Sequence, residues 1–241
     1  MHNVELGTFY TLYPVPPVHK QGTFLTANAC AGTDKPLANF RTVPMKIEGK
    51  KIKVSGMRHP DHQGKLSMTE VLAQLRKSHQ VLISLEARDD NGESVRKIWE
   101  KYGGIYHLCH VEDFKASKLA QMKKVYQIVA DAAKKNQSVV IHCGEGWGRS
   151  GTALSALMLS SLLQQTTQKI DTRKTVPVKP SDKKTPVMST PLVEKAIAEV
   201  RKYDKTVNHK NPDSTQGESV EIAPQVQCLD NFQLLQIYAR L

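Results

Sequence analysis

The sequence predicts an α/β fold with a central, mainly parallel sheet flanked by helices. Two observations carry that reading. Short continuous apolar runs, Val81-Leu82-Ile83-Ser84-Leu85 and Ser138-Val139-Val140-Ile141, read as strands buried on both faces. Segments with apolar residues at helical spacing lie between and after them, so strand and helix alternate along the chain. The chain of 241 residues is long enough for one well-cored domain with decorations.

Each element has its own signal. Residues 1–38 hold prolines at 14, 16, 17 and 36 and read as an irregular N-terminal arm on a domain spanning 39–241. Strands are expected around Val43–Lys46 and Ile52–Ser55. Ser67-Met68-Thr69-Glu70 is a capping-box pattern that opens a helix with Val71, Leu72 and Leu75 on one face. Glu93 to Tyr102 places Val95, Ile98, Trp99 and Tyr102 at helical spacing, and Gly103-Gly104 ends that helix. Ile105 to Val111 is the next strand. Lys118 to Lys134 is an amphipathic helix with its lysines facing out. An apolar helix from Gly151 to about Leu163 follows the strand at 138–141. Residues at about 165–190 are rich in Lys and Pro, poor in large apolar groups, and read as a basic, flexible insertion. Thr190-Pro191 starts another helix, with Pro at its first position. After a polar loop from Asp204 to Gly217, a final helix ends near Leu241.

Composition bounds the function. Lys and Arg total 34 against 23 Asp and Glu, a net charge of +11, which favours anionic partners without choosing among them. No stretch approaches the ~18 apolar residues of a membrane span. The N-terminus lacks the basic and apolar regions of a secretory signal, so a cytoplasmic chain is expected, with export to another compartment or host cell left open. Cys30, Cys109, Cys143 and Cys228 are scattered and show no metal-like spacing.

The chemistry concentrates in His142-Cys143-Gly144-Glu145-Gly146-Trp147-Gly148-Arg149-Ser150-Gly151. A strand leads in and a helix leads out. A thiol attacks only as a thiolate, and a helix N-terminus with a nearby cation lowers its pKa from ~8.5 to about 3.5–7.5. Backbone N–H groups of residues 144–149 can converge on one dianionic phosphate. Arg149 adds a planar fork for two phosphate oxygens. Gly144, Gly146 and Gly148 let the backbone turn tightly and approach a ligand. Ser150 is placed to hydrogen-bond the sulfur. The spacing implies phosphoryl transfer to Cys143.

His142-Cys143-x-x-Gly146-x-x-Arg149-Ser150 resembles the signature of the cysteine-dependent protein tyrosine phosphatase superfamily. The stretch from Val111 to Met158 is similar to the atypical dual-specificity phosphatases. The likeness extends more weakly over about 39–164 and 190–241, including Asn39-Phe40-Arg41, Lys53-Val54-Ser55-Gly56, Ser219-Val220-Glu221 and Gln225 or Gln227. It implies a protein tyrosine phosphatase-like fold, a phosphocysteine intermediate, and neither metal nor cofactor. It also implies a general acid on a loop about thirty residues before the cysteine. Asp113 fits that position, since 143 − 113 = 30.

Together these expectations name Cys143, Arg149, Asp113 and Ser150 as catalytic, with Gly144, Glu145, Gly146, Trp147, Gly148 and Arg149 around the substrate phosphate. Trp147 walls the pocket or stacks on an aryl leaving group, or else packs against the neighbouring helix. Glu145, a carboxylate within the loop beside the phosphate site, disfavours polyphosphorylated inositols. His142 either fixes the loop or simply packs. A phosphoprotein, above all phosphotyrosine, is the expected substrate, with phosphoserine and phosphothreonine beside it. Phosphoinositide, an acidic membrane surface or an RNA 5′-phosphate is the alternative that +11 suits, and a phosphate-binding module without turnover is the non-enzymatic one.

Overall fold

The computed structural model describes residues 37–87, 93–113, 115–166, 170–180, 185–204, 219–220 and 222–239. The expected N-terminal arm up to residue 36, with Cys30, lies outside them, as do parts of the insertion and residues 205–218.

Five strands form one sheet: β1 (Arg41–Ile47), β2 (Lys50–Met57), β3 (Val81–Ser84), β4 (Ile105–Leu108) and β5 (Val139–His142). Their order is β1-β2-β5-β3-β4. The β2–β5, β5–β3 and β3–β4 pairs are parallel, and β1 joins β2 as an antiparallel hairpin. The mainly parallel sheet read from the sequence is therefore the one observed. β5 lies at its centre and is buried throughout, which is why its sequence is continuously apolar rather than alternating.

Helices cover both faces. α1 (Met68–Arg76) and α2 (Glu93–Lys101) place Val71, Leu72, Leu75, Val95 and Trp99 against Met57, Leu82 and Val140. The alternate residues of the strands, Val139 and Ile141 among them, face α3 (Leu119–Lys134), α4 (Gly148–Gln165), α5 (Pro191–Asp204) and α6 (Ala223–Tyr238). The capping box at Ser67 forms, with Glu70 N donating to Ser67 Oγ and Ser67 N to the Glu70 carboxylate. Thr190 Oγ1 accepts from Val193 N at the start of α5.

Two boundaries differ from expectation. β4 ends at Leu108, although Cys109 N and Val111 N still donate to Ser84 O and Leu85 O. α4 begins at Gly148 rather than Gly151, which puts Arg149 and Ser150 in its first turn. Glycine's poor helix propensity favoured a later start, but burial of nearly the whole helix overrides it. Within the region read as an insertion, β6 (Val176–Val178) and β7 (Val187–Ser189) pair as an antiparallel hairpin with Val178 buried. Arg201 of α5 donates to Lys179 O beside it.

Candidate active site

The parallel strands β2, β5 and β3 all end on the same side, and the loop 143–147 springs from the end of β5 there. Its carbonyls are held from outside. Gly144 O accepts from His59 N at 3.0 Å, and Glu145 O from Asn39 Nδ2 at 2.7 Å. Gly146 O accepts from Arg41 Nη1 at 2.7 Å and Ser150 Oγ at 2.5 Å. Gly146 N, by contrast, points at Cys143 Sγ, 3.3 Å away. Gly146 has φ +85°, and a Cβ there would lie 2.6 Å from Arg58 N and Met57 C. Only glycine fits a left-handed residue pressed so closely against another backbone.

Cys143 is buried at the floor of this loop, with Ser150 Oγ 3.5 Å from its sulfur. Burial pushes the Cys109 thiol up, and the Cys228 thiol up to about 11. Neither is a thiolate at neutral pH, and Cys228 instead donates to Ser117 O. Arg149 is 5% exposed. Its Nη1 donates to Val111 O at 3.0 Å, which fixes the fork, and its Nη2 meets Asp113 Oδ1 at 2.8 Å. Asp113 is 64% exposed on the segment after β4. Cys143, Ser150, Arg149 and Asp113, drawn from two separate stretches, thus converge at one loop.

Four residues not named as site residues from the sequence complete the surroundings, Asn39 and Arg41 having entered only within a stretch of weak resemblance. Glu86, buried just past β3, lies 3.7 Å from Arg149 Nη2. A carboxylate directly after an apolar parallel strand was the available signal, since ligands of such sheets gather at the carboxyl ends of strands. Asn39 and Arg41 hold the loop carbonyls as described. Arg58 pairs with Glu145, Nε to Oε2 at 3.2 Å and Nη2 to Oε1 at 3.4 Å. The charge of the Glu145 carboxylate is thus partly offset by a guanidinium.

The Trp147 ring is 1% exposed and lies beneath the Arg41 guanidinium, 4.9 Å from its centroid. That burial leaves it no open face on which a leaving group could stack. His142 is buried edge-on to the His59 ring. Gln225 turns to the start of α6, where Oε1 accepts from Ile222 N, and Gln227 is exposed. Two clefts, of about 1070 and 860 Å³, lie elsewhere, and none of the expected residues lines them. The 860 Å³ cleft opens by Ser138, where β5 begins, whereas Cys143 follows its end.

Residues 55–162 match the family model described as "Polymorphic toxin system, DSP-PTPase phosphatase". Over that stretch, which holds Asp113, Cys143, Arg149 and Ser150, the chain matches a phosphatase of the cysteine-dependent, dual-specificity type. A search of curated protein sequences gave no match. Among solved structures, the phosphatase is similar to kinase associated phosphatase (KAP) bearing a serine in place of its catalytic-site cysteine. That likeness has a TM-score of 0.53 at 13% identity, over 85% of this chain and 98% of that one. A mutant form of Tk-PTP gives 0.51 at 17%, over 81% and 97%. PTPMT1 gives 0.50 at 17%, over 82% and 98%. At these identities the structures speak for the fold alone, and it is the dual-specificity type that the sequence resembles. No helix among the described residues is long and apolar enough to cross a membrane.

Proposed function

We propose that this phosphatase hydrolyses phosphomonoesters on proteins, phosphotyrosine first and phosphoserine and phosphothreonine in the same site. What supports the reading is the convergence on Cys143 of one N–H-lined loop, one guanidinium fork and one exposed carboxyl group. Arg149 is the only cationic side chain in the loop, and that set suits a single phosphate.

In the first step Cys143 Sγ attacks phosphorus. The S–P bond forms as the bond to the leaving oxygen breaks, and the Asp113 carboxyl gives that oxygen its proton. Phosphate oxygens take the Arg149 fork in place of Asp113, which swings the carboxyl group towards the leaving oxygen. Backbone N–H groups of residues 144–149 receive the charge on the equatorial oxygens. In the second step water attacks phosphorus and passes a proton to Asp113. The S–P bond breaks and its electron pair returns to sulfur. Ser150 turns its hydroxyl proton from Gly146 O to the sulfur and stabilises the departing thiolate.

The family description names a polymorphic toxin system, and this supports delivery to another cell as the alternative to action in the cytoplasm where the chain is made. A phosphate-release screen tests the substrate class, using phosphotyrosyl and phosphoseryl peptides, phosphoinositides and triphosphorylated RNA. The phosphotyrosyl peptide is expected to have the highest kcat/KM. A higher value for lipid or RNA would overturn the assignment.

A further inference from the structure

Arg58 is mounted rigidly beside the phosphate loop. It follows β2 directly, and its backbone N lies against Gly146, where no Cβ would fit. Its own N donates to Ala38 O, and its carbonyl accepts from Gln63 Nε2 at 3.1 Å. Gln63 is held in turn by Ala38 N through Oε1. The Arg58 side chain is 16% exposed and reaches Glu145, which is 46% exposed and belongs to the loop itself. The carbonyl of Glu145 is fixed by Asn39, so its side chain starts from a set position. One positive and one negative group therefore stand together beside the phosphate loop, partly open to solvent.

We infer that Arg58 is a specificity-determining residue. Paired with Glu145, it offsets the charge of that carboxylate and sets how the enzyme responds to a second anionic group beside the phosphate. The inference rests on the phosphoprotein reading above and deepens it. A second phosphate on the same peptide meets Glu145 and Arg58 at once, and their opposing effects largely cancel. Removing either partner unbalances the rim in a known direction. Without the carboxylate, the positive charge of Arg58 is less offset and favours a second anion. Without the guanidinium, Glu145 repels.

The test measures kcat/KM for two peptides on each preparation, one with a single phosphotyrosine between neutral residues and one with a second phosphate on the adjacent residue. The doubly-to-singly phosphorylated ratio is read, so the fraction of active protein cancels. Glu145→Gln is expected to raise this ratio roughly tenfold and Arg58→Gln to lower it by about as much, the scale of one charge at a partly exposed rim. The double variant is expected within about threefold of the unsubstituted protein, because the two changes offset one another. An unchanged ratio in both single variants, or shifts in the same direction, overturns the inference. Failure of the unsubstituted protein to hydrolyse the singly phosphorylated peptide, while it still hydrolyses an aryl phosphate, is a different result. It would overturn the phosphoprotein reading on which the inference stands.

Discussion

Gly146→Ala separates the loop's geometry from its chemistry, since it removes no reactive group. Two costs follow from the structure. An alanine at φ +85° pays the left-handed penalty, ~1–2 kcal/mol. At ~2–4 °C per kcal/mol for a domain of this size, that lowers Tm by ~2–8 °C. The second cost is steric. The new Cβ would sit 2.6 Å from Arg58 N and Met57 C and 2.8 Å from Met57 O, all backbone atoms that no rotamer change relieves. Reaching an ordinary contact of 3.4 Å needs a shift of 3.4 − 2.6 = 0.8 Å. The shift carries Gly146 N away from Cys143 Sγ, now 3.3 Å distant, and drags the N–H groups that would hold the phosphate. Misplacement on the order of 1 Å costs ~10²-fold in catalysis. The expected result is therefore a kcat/KM on an aryl phosphate at least ~10²-fold lower, with the protein still folded. Gly49→Ala is the control, because Gly49 has φ +74° but nothing within 4 Å of its would-be Cβ. It should lower Tm alone. Near-normal turnover by Gly146→Ala would refute the argument that this packing shapes the loop.

Three further outcomes are expected. Cys143→Ser should abolish hydrolysis while tungstate binding, followed by calorimetry, persists through the loop N–H groups and Arg149; measurable turnover at the original rate would remove the covalent step. Asp113→Ala should slow esters with poor leaving groups by ~10²–10⁴-fold and activated aryl esters far less, and equal losses on both would point to another acid. The third concerns stability against pH at His79, whose Nε2 contacts Ser55 Oγ and whose pKa burial pushes below 6.5. Below pH 6.5 the unfolded chain binds the proton that the folded state resists, so this contribution to stability falls as pH drops from 6.5 through the lowered folded value. Thermal melts of the protein and of His79→Gln between pH 7 and 5 should show a shallower slope for the variant, and parallel slopes would exclude His79 as the group responsible.

What the sequence reveals and conceals divides along a physical line. Periodicity and capping are local, so the helices at 68–76 and 119–134 and the buried strands were legible. So was the loop, because its chemistry needs its residues at fixed short spacing. Contacts across the fold were not. Arg41 begins a strand and nothing local marks it as buried, yet it is buried and its partner Ser219 is 178 residues away. Arg58 and Glu145 are separated by 87 residues, and nothing local in either marks the pair. The β6–β7 hairpin hid behind Pro177, which in a central strand would remove a ladder hydrogen bond but is tolerated in a two-stranded ribbon.

The loop's glycines supply a freedom that something else must remove, and Arg41 is placed to remove it. Its guanidinium gives one N–H to Gly146 O and another to Ser219 Oγ, meets Asp204 Oδ1 at 2.6 Å through Nε, and lies over Trp147. Asp204 closes the set by accepting from Ser219 N and Ser219 Oγ. β1, the end of α5, the segment before α6 and the loop are thus joined through one buried cation. Removing one partner of a buried ion pair costs about 3–5 kcal/mol, because the other is left without compensation. Such a charge is an expensive way to gain stability alone, which apolar side chains of similar volume would supply. It does what they cannot, since only a rigid multivalent donor can pin the Gly146 carbonyl outward and leave the N–H of that residue facing Cys143. The polar core behind the loop and the geometry in front of it are two sides of the same hydrogen bonds.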